Sequence, residues 1–539
     1  MAQPELQRVL GKKELIIIGF SGAVGTGVLF STAGMTAVAG PGVVIAWLIG
    51  ALLYLSVGLT YIDLSFLYPE EGGPSRYSLY TFGPVTNMIN AISDLLWYVF
   101  LPPIEALGAV MGLNYFYPHL ANHSGNPTIL GAVIGVLFML LFFPLNYFGI
   151  RTFSKSTKWI GVLKLILYFG IAIGFISDAD FSNFYQFGGV LPFGIVGLFK
   201  AIPLAMFCFG GLRVIPDFTE EVKDQNVIIP SILWSLLGQS ILYLLFGIAM
   251  LLALNWNAIH IAAGNWGELS KIAGNPFIVI ANSLNVSWLI ISVLAISIIG
   301  PFVAGYIYLG AGTRVLFAMG RSKIVSRRMI ELSKNHNIPV KALIVITIIG
   351  IMVAFVSAPL PSIYKLISDA VVAGYIGFSV NPAIMIVLRK EGRKGRFASD
   401  RLTLMIAVLA FASASLIIYW SGWPSVPYAS TLVLLLALVF GVTGKVKEGL
   451  VNSIWYIAYI VFLSGMTYIG SVGAQDYVSV LMGSVIVVII SLLIFLPWSV
   501  ASCMEESKRP KFTHPSGSIN SPLGAKQSHT NHISLHITP

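Results

Sequence analysis

Residues 19–30 read GFSGAVGTGVLF, and they lie inside an apolar run covering residues 15–39. A helix crosses a lipid hydrocarbon core in about 20 apolar residues, so the run is long enough to span a membrane. Glycines at 19, 22, 25 and 27 interrupt its Ile, Leu and Phe. Glycine has no side chain to block close approach and tolerates dihedrals outside the helical basin, so a break is predicted at Gly25-Thr26-Gly27. The half-helix starting there directs the amides of Thr26, Gly27 and Val28 outward along its axis, an arrangement suited to a carboxylate. Small residues at this spacing also let membrane helices pack closely, which is the alternative use of the same pattern.

Similar runs fill the rest of the chain. Fourteen are predicted, at 15–39, 41–67, 85–117, 127–149, 156–177, 192–213, 228–254, 286–320, 339–357, 361–388, 401–421, 425–443, 450–470 and 478–500. Hydrophobic residues make up 56% of the 539, charged residues 10%, and the mean hydropathy is +0.85, a balance that no aqueous fold hides. Backbone groups in lipid must bond within their own segment, and continuous rather than alternating hydrophobicity excludes a barrel. The predicted class is therefore an all-α integral membrane protein.

Basic residues cluster at every second connection, as at Arg8, Lys12 and Lys13, at Arg151, Lys155 and Lys158, and in the seven between Arg314 and Lys341. By the positive-inside rule that side, with both termini, is cytoplasmic, and the chain is a multi-pass protein of the cell membrane. The net charge of +10 reflects this topology. It is split among short loops with no continuous basic, aromatic-interleaved surface, which excludes nucleic acid as partner and leaves the lipid bilayer. Residues 1–14 form an N-terminal segment, 15–390 the core, 391–504 additional membrane helices, and 505–539 a polar tail predicted to be disordered. The tail histidines His529, His532 and His536 read as solvated side chains, so no metal or other cofactor is expected. Cys208 and Cys503 form no plausible pair.

A second interruption occurs in the sixth run, at Phe207-Cys208-Phe209-Gly210-Gly211, ahead of Pro216 and the acidic stretch Glu220-Glu221-Val222-Lys223-Asp224. Paired breaks five helices apart are the mark of an inverted five-plus-five repeat with a site between the repeats at the midplane. Phe209 beside the break is placed either to close over a ligand or to pack. Ionisable groups inside a bilayer are costly, which makes Lys164 in helix 5 and Glu105 in helix 3 functional candidates. Asp63 and Asp94, nearer the cytoplasmic ends, are expected to be hydrated.

The glycine stretch of helix 1, PEEGGPSRYSLYTFGP at 69–84, FCFGGLRVIPDFTEEVKDQNVIIPSI at 207–232 and GTRVLFAMGRSKIVSRRM at 312–329 resemble the amino acid-polyamine-organocation superfamily in order and spacing. The resemblance covers roughly residues 12–400. It implies the leucine-transporter fold, with helices 1–5 and 6–10 as the inverted repeat and helices 1 and 6 discontinuous. It also implies a substrate carboxylate at Gly25 to Gly27 and an amine at carbonyls near Ser21, Gly22, Phe207 and Phe209, beside Gly210. In proton-coupled members a helix 5 lysine stands where sodium-coupled members bind sodium, and KWIGVLKLILYF aligns Lys164 with it. Glu105, in LPPIEALG, is then its expected carboxylate partner, either in proton exchange or in a static ion pair. Many members carry an acidic residue after the helix 6 break where this chain has Arg213. With Lys200 this either favours an acidic or strongly polar substrate, or the two cations snorkel to opposite sides.

The expected function is secondary active transport of an amino acid or related amine by alternating access, as a proton-coupled symporter. An amino acid or amine exchanger is the alternative, and a transporter-like nutrient sensor a further one. An enzyme is disfavoured, since the sequence has no HExxH pair, no Cys/His ligand cluster and no Gly-x-Ser-x-Gly elbow.

Overall fold

Apolar runs of this length close their own backbone hydrogen bonds as helices, and the elements follow. A computed structural model of the chain describes residues 6–122, 126–176, 180–272, 275–357, 372–397, 399–444, 446–471 and 473–512, with Thr26 described by its backbone alone. The tail beyond Phe512 with its three histidines, the start of the tenth predicted run, and His123 and Ser124 lie outside the described residues. Helices α1a (Lys12–Ala23) and α1b (Thr26–Ala39) are the two halves of the first run. They are followed by α2 (Val43–Leu67), α3 (Pro84–Leu113), α4 (Ile129–Tyr147) and α5 (Ile150–Ile176). The sixth run is again divided, into α6a (Gly194–Cys208) and α6b (Gly211–Asp217). Then come α7 (Ile228–Ala253), α8 (Ser287–Arg321), α9 (Val340–Ser357), α10 (Val372–Lys390), α11 (Asp400–Ser421), α12 (Ser425–Thr443), α13 (Leu450–Ile469) and α14 (Val480–Ala501).

Thirteen helical stretches among the described residues are long and apolar enough to cross a membrane. The first, Gly27–Leu67, joins α1b to α2 around Gly40–Gly42; divided there, the thirteen become the fourteen predicted runs. No strand occurs among the described residues.

The broken helices are central. Half-helix α1a packs against α5, α6b, α7 and α8, while α1b and α2 hold α6a. Long α3 and α8 form the most extensive pair, and α11 leans on α2, α10 and α6a. On the added helices, Leu435, Leu438 and Val442 of α12 and Leu481, Val485 and Leu493 of α14 are exposed, as side chains facing lipid would be.

Order extends past residue 505. Arg509 pairs with Glu391 at 2.5 Å, and the Phe512 ring lies 5.3 Å from that of Tyr68 and 5.6 Å from that of Tyr80. Residues 505–512 are thus docked, because an aromatic ring and an ion pair outweigh their polar composition. At the other terminus, the amides of Val9 and Leu10 donate to the Glu221 carbonyl at 2.9 and 3.0 Å, tying the N-terminal segment beneath α6b.

Candidate functional site

The break in the first run falls at Val24-Gly25, one residue ahead of the predicted position. Val24 has φ −85° and ψ 78°, Gly25 has φ −111° and ψ −139°, and α1b begins at Thr26. The amides of Thr26, Gly27 and Val28 therefore form the first turn of a half-helix, where no intrahelical carbonyl is available to them. A Cβ on Gly25 would run into the carboxylate of Glu105 from α3, so any larger residue there must displace that side chain.

Lys164 of α5 is fully buried, and its Nζ donates to the carbonyl of Ser21 at 2.7 Å and that of Gly300 at 2.9 Å. One cation thereby joins α1a, α5 and α8. One turn along α5, the Tyr168 hydroxyl donates to the Gly25 carbonyl at 3.0 Å, on the break itself. Glu105, 2% exposed, acts electrostatically on Lys164 and abuts Gly25.

The break in the sixth run is of another kind. Phe209 and Gly210 keep near-helical dihedrals, and the amides of Gly210 and Leu212 donate to the carbonyls of Phe207 and Phe209 at 3.0 Å each. The Cys208 carbonyl accepts the Tyr243 hydroxyl at 2.7 Å. Of the carbonyls that the resemblance nominates for a substrate amine, those of Ser21, Phe207 and Phe209 are thus engaged within the protein. Gly22 instead marks the crossing with α6b, where a Cβ on it would stand 3.9 Å from the Gly211 Cα.

The two phenylalanines separate. Phe209 packs among Trp47, Tyr54 and Tyr243, with ring centroids 6.1, 6.0 and 5.0 Å away, and is fully buried. Phe207 leans toward helix 1: its Cε1 lies 3.0 Å from where a Cβ on Gly27 would stand, and its ring is 5.9 Å from Trp97. The side chain placed over the half-helix N-terminus is Phe207, with Phe209 a packing residue.

Asp94 is buried rather than hydrated, and it forms an ion pair with Arg213, which does not snorkel. The guanidinium lies 5.1 Å from the Trp97 ring and 5.0 Å from the Phe378 ring. Lys200 is exposed. Asp63 is also buried, accepting from the Arg396 amide at 2.7 Å with Arg389 at 3.7 Å. Asp94 and Trp97 are the partners of Arg213 that the sequence reading does not name, although a signal exists. Residues 94, 97, 98, 101 and 105 recur at three- and four-residue intervals, so Asp94, Trp97 and Glu105 share one stripe of α3.

Below the site, on the side carrying the N-terminal segment, four carboxylates and three arginines lock together. Arg314 bonds Glu71 and, at 2.6 Å, Glu221; Arg321 bonds Glu220 at 2.5 Å; Arg76 bonds Glu70 at 3.0 Å. Burial pushes the Glu71 carboxyl well above the ordinary range, neighbouring Glu221 adds to this, and Arg314 opposes it. Burial raises Glu70 and Glu221 as well, against Arg76 and Arg314 respectively. These contacts join the 69–78 loop, the segment after α6b and the end of α8.

A lysine-bridged, doubly broken bundle of this kind has relatives. The protein is 26% identical to the glutamate/serine transporter AimA of Bacillus subtilis, over 92% of this chain and 94% of that one. It is 26% identical to the aspartate-proton symporter of the same organism, over 87% of this chain and 92% of that one. The branched-chain amino acid permease BcaP of B. subtilis is 24% identical over 72% of this chain and 82% of its own. The family model described as amino acid permease matches residues 10–418, and the chain accordingly belongs to the amino acid permease family, a family of multi-pass membrane transporters.

Proposed function

We propose that this protein imports an amino acid together with a proton by alternating access, across the cell membrane and with both termini cytoplasmic. The observation that carries the reading is the placement of Lys164. A buried ammonium spanning carbonyls of α1a and α8 holds the broken helix against the opposite repeat, and loss of its proton removes that tie. Glu105 acts electrostatically on Lys164 and abuts the Gly25 break, so the state of one cation reaches the substrate position. The substrate carboxylate sits at the amides of Thr26, Gly27 and Val28, Phe207 covers it, and its ammonium lies near Ser21, Gly22 and Gly210, where a carbonyl already bonded within the protein accepts through its second lone pair. The printed names of two relatives, a glutamate/serine transporter and an aspartate-proton symporter, support an amino acid as cargo and a proton as coupling ion.

The test is uptake of a panel of labelled amino acids and amines into proteoliposomes, with and without an inward proton gradient. Gradient-stimulated uptake is expected. Lys164→Ala is expected to abolish it, by at least ~100-fold, since removing one partner of a buried charged set costs about 3–5 kcal/mol. Uptake that requires internal amino acid and ignores the gradient would make the protein an exchanger and remove the proton from Lys164.

A further inference from the structure

Arg213 is a full positive charge with 1% exposure, one turn past the helix 6 break. Its fork has five N–H donors, yet its described bonds are Nη2 to Asp94 and Nη1 to the Gly374 carbonyl at 3.4 Å. Buried polar atoms in proteins are nearly always hydrogen-bonded. Near this guanidinium Asp94 Oδ2 and Trp97 Nε1 have no partner within the protein, and the Tyr54 hydroxyl lies beside the Arg213 backbone amide. Tyr54 acts electrostatically on Arg213, and its ring is 5.8 Å from that of Phe378, which stacks under the guanidinium. The Trp97 indole reaches from Arg213 to the break, where a Cβ on Gly210 would collide with it, and on to Phe207. Arg213, Trp97 and Tyr54 thus bring more donors than the one open acceptor among them, Asp94 Oδ2, beside the place where the substrate is read to sit.

Resting on the amino acid permease reading, we propose that Arg213 determines specificity by receiving the side-chain carboxylate of an acidic amino acid. The carboxylate takes the guanidinium edge that Asp94 leaves open, with Trp97 Nε1 and Tyr54 Oη as further donors. Asp94 orients the guanidinium and, by its own charge, limits how tightly the ligand is held. The two ends of the substrate then meet different halves of the site: the α-carboxylate at the α1b amides, the side chain at α6b. An arginine fork suits this role, because it matches a carboxylate in plane and stays charged when buried.

The experiment compares KM for labelled aspartate and glutamate with KM for serine and leucine, in proteoliposomes holding wild type, Arg213→Gln, Asp94→Asn or the double variant. Arg213→Gln is expected to raise the acidic-to-neutral KM ratio by about tenfold or more, the size of a lost charge-assisted bond. Asp94→Asn, which leaves Arg213 with excess charge, is expected to lower that ratio. The double variant leaves no unpaired charge and is expected to keep the raised ratio even where Arg213→Gln alone fails to fold. An unchanged ratio in the double variant would reduce the pair to a packing element and overturn the proposal while the permease reading stands. Wild-type uptake of neutral but not acidic amino acids would overturn it in the same way. Uptake of no amino acid at all would instead sink the permease reading beneath it.

Discussion

The two interrupted helices stand side by side, yet they are interrupted differently. Between α1a and α1b the chain unwinds at Val24-Gly25 and leaves the α1b amides without intrahelical partners. Between α6a and α6b the chain makes a tight turn whose carbonyls are satisfied inside the protein. The first break offers backbone, and the second offers side chains: Phe207 on one face, Phe209 on another, and Arg213 just beyond. Backbone dipoles recognise what every amino acid shares. Side chains distinguish one amino acid from another, so affinity is expected to follow helix 1 and selectivity helix 6.

Substitution of the glycine at each break puts the largest load on this contrast. In Gly25→Ala the new methyl meets the Glu105 carboxylate, and in Gly210→Ala it meets the Trp97 indole. Gly25→Ala is expected to cut uptake of acidic and neutral substrates alike by roughly 100-fold, equal to about 2.7 kcal/mol. Gly210→Ala is expected to change their ratio. Initial rates across the substrate panel check both, and a substrate-selective Gly25→Ala would break the contrast.

Phe207 and Phe209 sharpen it at the next level. Phe207→Ala is expected to raise KM about tenfold and, since the ring is also buried against Trp97 and helix 1, to lower Tm as well. Phe209→Ala empties a closed aromatic cluster, a change that costs roughly 3–5 kcal/mol in a packed core, and is expected to lower Tm with KM nearly constant among molecules that fold. Thermal unfolding in detergent beside KM measurements separates the two.

The smallest expected effect concerns the ion network beneath both breaks. Burial raises the Glu71 carboxyl pKa, so the closed network binds more protons than an opened one. Its stability is full below the ordinary carboxylate pKa and is lost as pH rises through the raised value. A cysteine at Ser75, on a Cys503→Ser background, is expected to label about three times faster at high pH than at low pH once each rate is divided by that of a free thiol at the same pH. Glu71→Gln, which mimics the protonated form, is expected to flatten the dependence. Labelling that slows as pH rises would reverse the sign and refute the assignment.

Much of this was legible in the chain and some was not, for definite reasons. Glycines at 25 and 27 inside an apolar run announce an interruption whatever surrounds them, and the break lies within one residue of its predicted place. Lys164 and Glu105 stand out because charge inside a membrane run has few uses. Phe207 and Phe209 are less readable. Two residues apart on a helix, they point about 200° from each other, and only packing says which faces helix 1. Asp94 reads as hydrated because it sits on the cytoplasmic half of its run, whereas it pairs in the fold with Arg213, 119 residues away in sequence.

The sequence by itself determined the succession of membrane-length helices, the distribution of positive charge between the two ends and the positions of the two breaks to within a residue or two. Each is a property of one segment in lipid, where the backbone must satisfy itself and charge must find a surface or a partner. The tertiary structure alone decided the pairing: Lys164 with two carbonyls, Arg213 with Asp94, Glu71 with Arg314. A buried charge takes whichever partner packing brings within a few ångströms, and that choice is made between helices.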